Sequence, residues 1–421
     1  MAAVAPGPDP GRLPVFGLGV LMPFTSPLWD SMERRHLRAT VAAFTGRHIL
    51  PHQDDWERDG LIPRATHLVA AELGLFGLGV PEEVGGSGGD LIDATIMAEE
   101  MLYRGTSGGV MASLFTNGIS LPHLIAAGDR DQIDRWVRPT LAGEKIGSLA
   151  ITEPGGGSDV GHLRTTAVRD GDEYIVNGSK TFITSAVRAD FVVTAVRTGD
   201  DGAAGVSLLV VEKGTPGFSV TRRLEKMGWR ASDTAELTYD DVRVPTTNLV
   251  GPEDSGFAQI AAAFVTERSV LATQAYAAAQ RCLDLTLDWV RARETFGRPL
   301  ISRQSVQDTV TEMARRIDVA RTYSRAVVEA KVAADAAGGG AEESGPLPGA
   351  DLVAEVCFAK NTAVETGEWV ANKAVQLFGG MGYMREAEVE RQYRDMRILG
   401  IGGGTTEILT GLAAKRLGYQ P

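Results

Sequence analysis

Three hydrophobic patterns follow one another along the chain. From about Pro27 to Gly147, apolar residues recur every three or four positions, most clearly in Leu91-Ile92-Asp93-Ala94-Thr95-Ile96-Met97-Ala98-Glu99-Glu100-Met101-Leu102. That is the period of an amphipathic helix. Asp90 stands where an N-cap belongs, and Gly85-Gly86-Ser87-Gly88-Gly89 breaks the chain just before it. Between Gly147 and about Val250 the pattern shifts to short β-rich runs: Tyr174-Ile175-Val176, Phe191 to Val196, Val206 to Val211 and Glu236-Leu237-Thr238-Tyr239. Turn residues such as Asn177-Gly178 and Thr215-Pro216-Gly217 separate them, which predicts an antiparallel barrel or sandwich. After Gly256 the helical period returns, with Val306, Val310, Met313, Ile317, Ala320, Tyr323 and Val327 three or four residues apart. Four such segments, roughly 257–292, 303–336, 351–378 and 405–416, predict an antiparallel four-helix bundle. The Gly- and Pro-containing stretch 337–350 reads as a flexible loop within it.

These shifts predict a multi-domain α+β chain: a flexible leader (1–25), an N-terminal helical domain (26–147), a central β domain (148–255) and a C-terminal helical bundle (256–421). At 421 residues several cores can form. The net charge of −12 argues against nucleic acid or an anionic membrane as partner, but leaves room for a local basic site for an anionic ligand. The two cysteines, Cys282 and Cys357, lie in helix-like apolar segments and predict thiols rather than a disulfide framework. No run of about 18 apolar residues appears. Residues 1–20 lack the basic start and compact apolar core of a secretory signal. A cytoplasmic protein is therefore expected, with no metal site.

Two segments carry the chemistry. Ile151-Thr152-Glu153-Pro154-Gly155-Gly156-Gly157-Ser158-Asp159 places a glycine cluster after a β run, and Asn177-Gly178-Ser179-Lys180-Thr181-Phe182-Ile183-Thr184-Ser185 follows it. In this order and spacing they resemble the flavin-binding segments of acyl-CoA dehydrogenases, and the resemblance runs from Leu28 to Leu417. It implies bound FAD, with Ile151, Thr152, Ser158, Phe182 and Thr184 at or near the isoalloxazine and Ser158 also touching the acyl-CoA. The residue types suit that role: glycines admit close backbone approach to a flat ring, and hydroxyls and amides can donate to it. Position 182 is commonly Trp in the family and is Phe here, so ring stacking is kept and the indole N–H is lost.

A second cluster, Arg293-Glu294-Thr295-Phe296-Gly297-Arg298 with Gln304, resembles the family segment that reaches the FAD of a neighbouring subunit. The resemblance implies that Arg293 lies on the pyrophosphate, with Thr295 and Phe296 also reaching that FAD. Gln376-Leu377-Phe378-Gly379-Gly380 resembles the segment near the adenosine, with Gln376, Phe378, Gly379 and Gly380 as contacts. A cofactor shared in this way implies a homo-oligomer, a dimer or tetramer. Thr405, Thr406 and Glu407 read as a helix start with a Thr cap, where unpaired N–H groups suit phosphate or flavin oxygens. Tyr239 to Pro245 and Pro81 to Gly86 are also family-like and are expected to be mainly structural.

The catalytic base is the most distinctive expectation. Ile401-Gly402-Gly403-Gly404-Thr405-Thr406-Glu407-Ile408 resembles the C-terminal motif in which many family members carry the base as the Glu of Glu-Gly-Thr. Here that position is Gly403, which cannot take a proton. A smaller branch, including isovaleryl- and long-chain acyl-CoA dehydrogenases, carries the base on an earlier helix in a Glu-Arg pair, matched here by Glu267-Arg268. The resemblance thus implies Glu267 as base, with Arg268, Gly403, Gly404 and Ser158 at the substrate. The reaction implied is FAD-dependent α,β-dehydrogenation of an acyl-CoA to the trans-2-enoyl thioester, with electrons passed to an electron-transfer flavoprotein. Alternatives on the same scaffold are an acyl-carrier-protein-linked dehydrogenase, an oxygen-using oxidase or monooxygenase, and a catalytically silent flavoprotein subunit. Gly403 is expected to leave room beside the substrate, favouring branched or bulky acyl groups.

Overall fold

The computed structural model describes residues 26–338 and 350–419; the leader and nearly all of the 337–350 loop lie outside them. In the N-terminal part, α1 (Met32–Phe44) packs on α2 (Leu91–Tyr103). Asp90 caps α2 as expected. Its carboxylate accepts from the Ile92 N–H at 2.7 Å, and Asp93 returns the favour to the Asp90 N–H at 2.9 Å, closing a capping box. The most apolar stretch, 108–127, forms two helices, Gly108–Leu114 and Asn117–Ala127, broken at Phe115 and Thr116. Half of it is buried inside the molecule.

The central part is one curled sheet of seven strands: β1 (Gly147–Ala150), β2 (Thr166–Asp170), β3 (Glu173–Thr184), β4 (Phe191–Arg197), β5 (Val206–Glu212), β6 (Phe218–Arg223) and β7 (Thr234–Pro245). The order is β1-β4-β2-β3-β7-β6, with β5 on β4. All four β runs read from the sequence lie in strands. The expected antiparallel pairing holds for β2–β3, β3–β7, β4–β5 and β6–β7, whereas β4 runs parallel to β1 and to the end of β2. The β2–β3 hairpin intervenes between β1 and β4, and two reversals restore the original direction. β3 slips register between Val176 and Gly178 and again between Lys180 and Ile183. The second slip re-aims Phe182.

The C-terminal part holds α3 (Gly256–Ala292), α4 (Gln304–Ala336), α5 (Leu352–Phe378), α6 (Glu388–Met396) and α7 (Thr406–Arg416). Four of these coincide with the helices read from periodicity. The fifth, α6, has only Val389 and Met396 as buried apolar residues among charged ones, too few to show a period. The α4 stripe from Val306 to Val327 is buried except for part-buried Tyr323. Where α3 and α5 cross, Gly367 lets them pack closely: a Cβ there would lie 3.2 Å from the Ala275 carbonyl and 2.5 Å from Met396 Sδ. The parts are also tied by charge. Fully buried Glu99 on α2 accepts from Tyr276 Oη of α3 at 2.7 Å and from Arg325 of α4 at 2.8 and 2.7 Å.

Candidate active site

Glu267 lies in the N-terminal half of α3, with Phe264 and Leu271 one turn to either side. Facing it is the turn 402–404. A Cβ built on Gly403 would sit 3.5 Å from Glu267 Oε1, so the two positions read from the sequence as alternative homes for the base converge on one point. Glu267 keeps part of its surface accessible, yet its carboxylate accepts no hydrogen bond among the described residues. Desolvation pushes its pKa up to about 7, against the opposing pull of Arg268 and Lys360.

The turn itself is built from glycine because its backbone is left-handed at Gly403 (φ 66°) and Gly404 (φ 97°). Its three carbonyls are each taken by a cation. Arg268 Nε donates to Gly403 O at 3.0 Å, and Lys360 Nζ donates to Gly402 O at 2.7 Å and Gly404 O at 2.6 Å. Arg268, expected at the substrate, is buried and spends this donor on the turn, with its guanidinium 5.4 Å above the Phe264 ring. The space expected beside Gly403 is not open. Leu271 Cδ1 lies 2.6 Å from the Gly403 Cβ position, so the leucine fills the volume that a base there would need. That removes the geometric ground for favouring branched acyl groups. Lys360 went unnoticed in the sequence; its signal was a lysine on the apolar stripe of 351–378, between Val356 and Ala363.

Thr405 caps α7, accepting from the Ile408 N–H at 3.3 Å. Asn361 of α5 holds the Thr406 carbonyl at 3.1 Å. Glu407 is exposed in the first turn of α7, where its own N–H and the Thr405 hydroxyl hold its carboxyl below the usual range.

The two flavin-like segments meet at the end of the sheet. The Thr181 N–H donates to Thr152 O at 2.9 Å, and Lys180 Nζ donates to Ile151 O at 3.0 Å and Glu153 Oε1 at 2.8 Å. Glu153 also accepts from the N–H groups of Arg164 (2.7 Å) and Thr165 (2.8 Å), which offsets its burial. Burial lowers the Lys180 pKa to about 8, with Glu153 opposing. This pair was not legible in the sequence, because Glu153 and Lys180 stand on separate segments and meet only through the fold. Ile151 and Thr152 are partly buried, Ser158 is exposed on the glycine loop and Thr184 is partly buried in β3. Phe182 is 67% exposed at φ 61°, a strained backbone holding an apolar ring out of the sheet. Gly155 and Gly156 have open space where a Cβ would stand. A displayed ring beside an open glycine loop fits a flat aromatic cofactor.

The second cluster is likewise assembled. After α3 the chain forms a small hairpin, Glu294–Thr295 against Arg298–Pro299, with Phe296 at its tip, 96% exposed at φ 52°. Arg303 fixes the hairpin through Thr295 O at 2.8 Å. Arg293 is exposed, 6.0 Å over the Trp289 ring, and that ring stacks on Phe378 at 4.8 Å. The Arg293 segment and the Gln376–Gly380 segment therefore form one surface, with Gln376, Gly379 and Gly380 exposed and nothing standing in the two glycine Cβ positions. Gln304 is exposed at the start of α4 and bonds Asp308 at 2.7 Å.

Comparison with known proteins places this arrangement. Residues 31–144, 148–242 and 254–418 match the N-terminal, middle and C-terminal domains of acyl-CoA dehydrogenase. The Bacillus subtilis protein YngJ, named a probable acyl-CoA dehydrogenase, is 37% identical over 91% of this chain and 98% of its own. The mouse mitochondrial long-chain specific acyl-CoA dehydrogenase is 34% identical over 92% of this chain and 87% of its own. A solved structure from Mycobacterium smegmatis assigned to the same family is 69% identical, with a TM-score of 0.89 over 94% of this chain and all of that one. The chain belongs to the acyl-CoA dehydrogenase family, a family of FAD-dependent oxidoreductases.

Proposed function

We propose that this chain dehydrogenates an acyl-CoA thioester between its α and β carbons, with Glu267 as the general base. The observation that carries the reading is the desolvated, unbonded Glu267 carboxylate set against Gly403. A pKa near 7 makes it half-ionised at neutral pH and a far stronger base than a solvated carboxylate. Glu267 takes the α-proton. The β-hydrogen then departs with its electron pair as the α,β double bond forms. Bound FAD supplies the acceptor for that hydride. The thioester carbonyl carries the developing negative charge, which backbone N–H groups in a water-poor site stabilise. Among the described residues the N–H groups of Gly403 and Gly404 have no acceptor and are available for this. Ser158 and the exposed glycine loop would hold the flavin and acyl side, and Phe182 and Thr184 would hold the isoalloxazine. Arg293, Thr295, Phe296, Gln304 and the Gln376–Gly380 segment serve the FAD of a neighbouring subunit. Electrons leave to an electron-transfer flavoprotein.

Anaerobic titration of the purified flavoprotein with a panel of acyl-CoAs tests this. Flavin bleaching with stoichiometric trans-2-enoyl-CoA is expected. Bleaching by acyl-carrier thioesters alone would move the substrate to a carrier protein. Rapid reoxidation in air would favour an oxidase, and no bleaching by any thioester a silent subunit.

A further inference from the structure

Behind the turn that faces Glu267 lies a buried ammonium with no assigned role. Lys360 is 0% exposed, and its Nζ spans the turn from Gly402 O to Gly404 O. We propose that Lys360 is a positioning residue for the reaction: by clasping these two carbonyls it holds the turn so that the Gly403 N–H is aimed at the thioester carbonyl, and it presents a positive charge to the Glu267 carboxylate.

The geometry follows from the peptide unit. In a trans peptide the C=O and N–H point in opposite directions. A carbonyl fixed on Lys360 therefore fixes the next N–H away from it: Gly402 O orients the Gly403 N–H, and Gly404 O orients the Thr405 N–H. Arg268, on Gly403 O, does the same for the Gly404 N–H. A cation on the carbonyl also polarises the amide and strengthens its N–H as a donor. The two consecutive left-handed glycines would otherwise be free to turn, since glycine has the widest conformational choice. The charges facing Glu267 are Arg268 on its own helix and Lys360 on α5; both also act on Cys357, one turn before Lys360. No charged group of the 402–404 turn itself is present. Burial lowers the Lys360 pKa to about 8, which leaves it mostly charged at neutral pH.

This inference rests on Glu267 being the base, so the test pairs Lys360→Gln with Glu267→Gln. Stopped-flow flavin reduction by a saturating acyl-CoA is followed against pH. For Lys360→Gln the expected result is at least about a 10-fold slower reduction and an acid limb moved to higher pH, because a positive charge near the base is gone. FAD content should be kept and Lys360→Arg should recover most of both effects. A Lys360→Gln enzyme with the wild-type rate and acid limb overturns the proposal, and so does a slower enzyme whose acid limb has not moved. If Lys360→Gln fails to take up FAD, Lys360→Arg decides: because it keeps the cation, a holoenzyme with the wild-type acid limb is expected, and an acid limb displaced to higher pH overturns the idea. A Glu267→Gln enzyme as fast as wild type sinks the base assignment instead.

Discussion

Glu267 is held where its charge is costly, and that cost has a direction in pH. Its folded pKa near 7 lies above the ordinary carboxylate value, so the folded state holds the proton more tightly than the unfolded one. The stability this contributes is fully present below the unfolded pKa and is lost as pH rises through about 7. Glu267→Gln, which never ionises, should therefore gain on the wild type as pH rises, by about 1–2 kcal/mol at pH 8 once partial solvent access is allowed for, and by almost nothing near pH 4. Thermal unfolding of both proteins across that range checks it; an equal difference at both ends would contradict it. Gly403 supports a second expectation. Gly403→Glu in a Glu267→Gln background should not restore activity, since the new side chain meets Leu271 and a left-handed backbone. Trimming Leu271 to Ala in the same protein removes the clash and should recover part of the rate in the same reduction assay. The sequence named Glu267 through its neighbour Arg268 and the missing carboxylate at 403. It did not show Lys360 or Leu271 around it, because residues on different helices and turns meet only through the fold.

Among the elements, the long helices were legible and the short connections were not. α3, α4, α5 and α7 carry enough turns for apolar spacing to show, whereas α6 is one charged stretch with a single buried face. The segment after α3 was legible as a cofactor motif, but its hairpin, which carries Phe296 at the tip, was not. The parallel β1–β4 pair was hidden because pairing direction depends on what intervenes, which no strand's own residues record. Arg293 yields a prediction at this scale. It is exposed and, among the described residues, its guanidinium lies over Trp289 and makes no hydrogen bond, which leaves it available to a phosphate. Arg293→Ala should lower FAD occupancy several-fold with unchanged secondary structure, read from the ratio of flavin to protein absorbance. Full occupancy would remove the pyrophosphate role.

At the scale of the whole molecule, the exposed apolar groups argue for assembly. Phe296 at 96% and Tyr383 at 84% exposure lie on segments flanking the Arg293 surface, where a lone chain would leave them in water. We expect purified protein to be yellow, with about one FAD per chain, and to run as a dimer or tetramer in light scattering. Phe296→Asp should yield a smaller species with less flavin. A wild-type monomer with full FAD would contradict the shared-cofactor reading.

The central claim is that Glu267 takes the α-proton. Glu267→Gln preserves size and FAD binding but removes basicity, so flavin reduction by a saturating acyl-CoA under anaerobic conditions should slow by at least about 100-fold, the scale of a lost general base. Reduction of that variant at the wild-type rate would show that another group is the base.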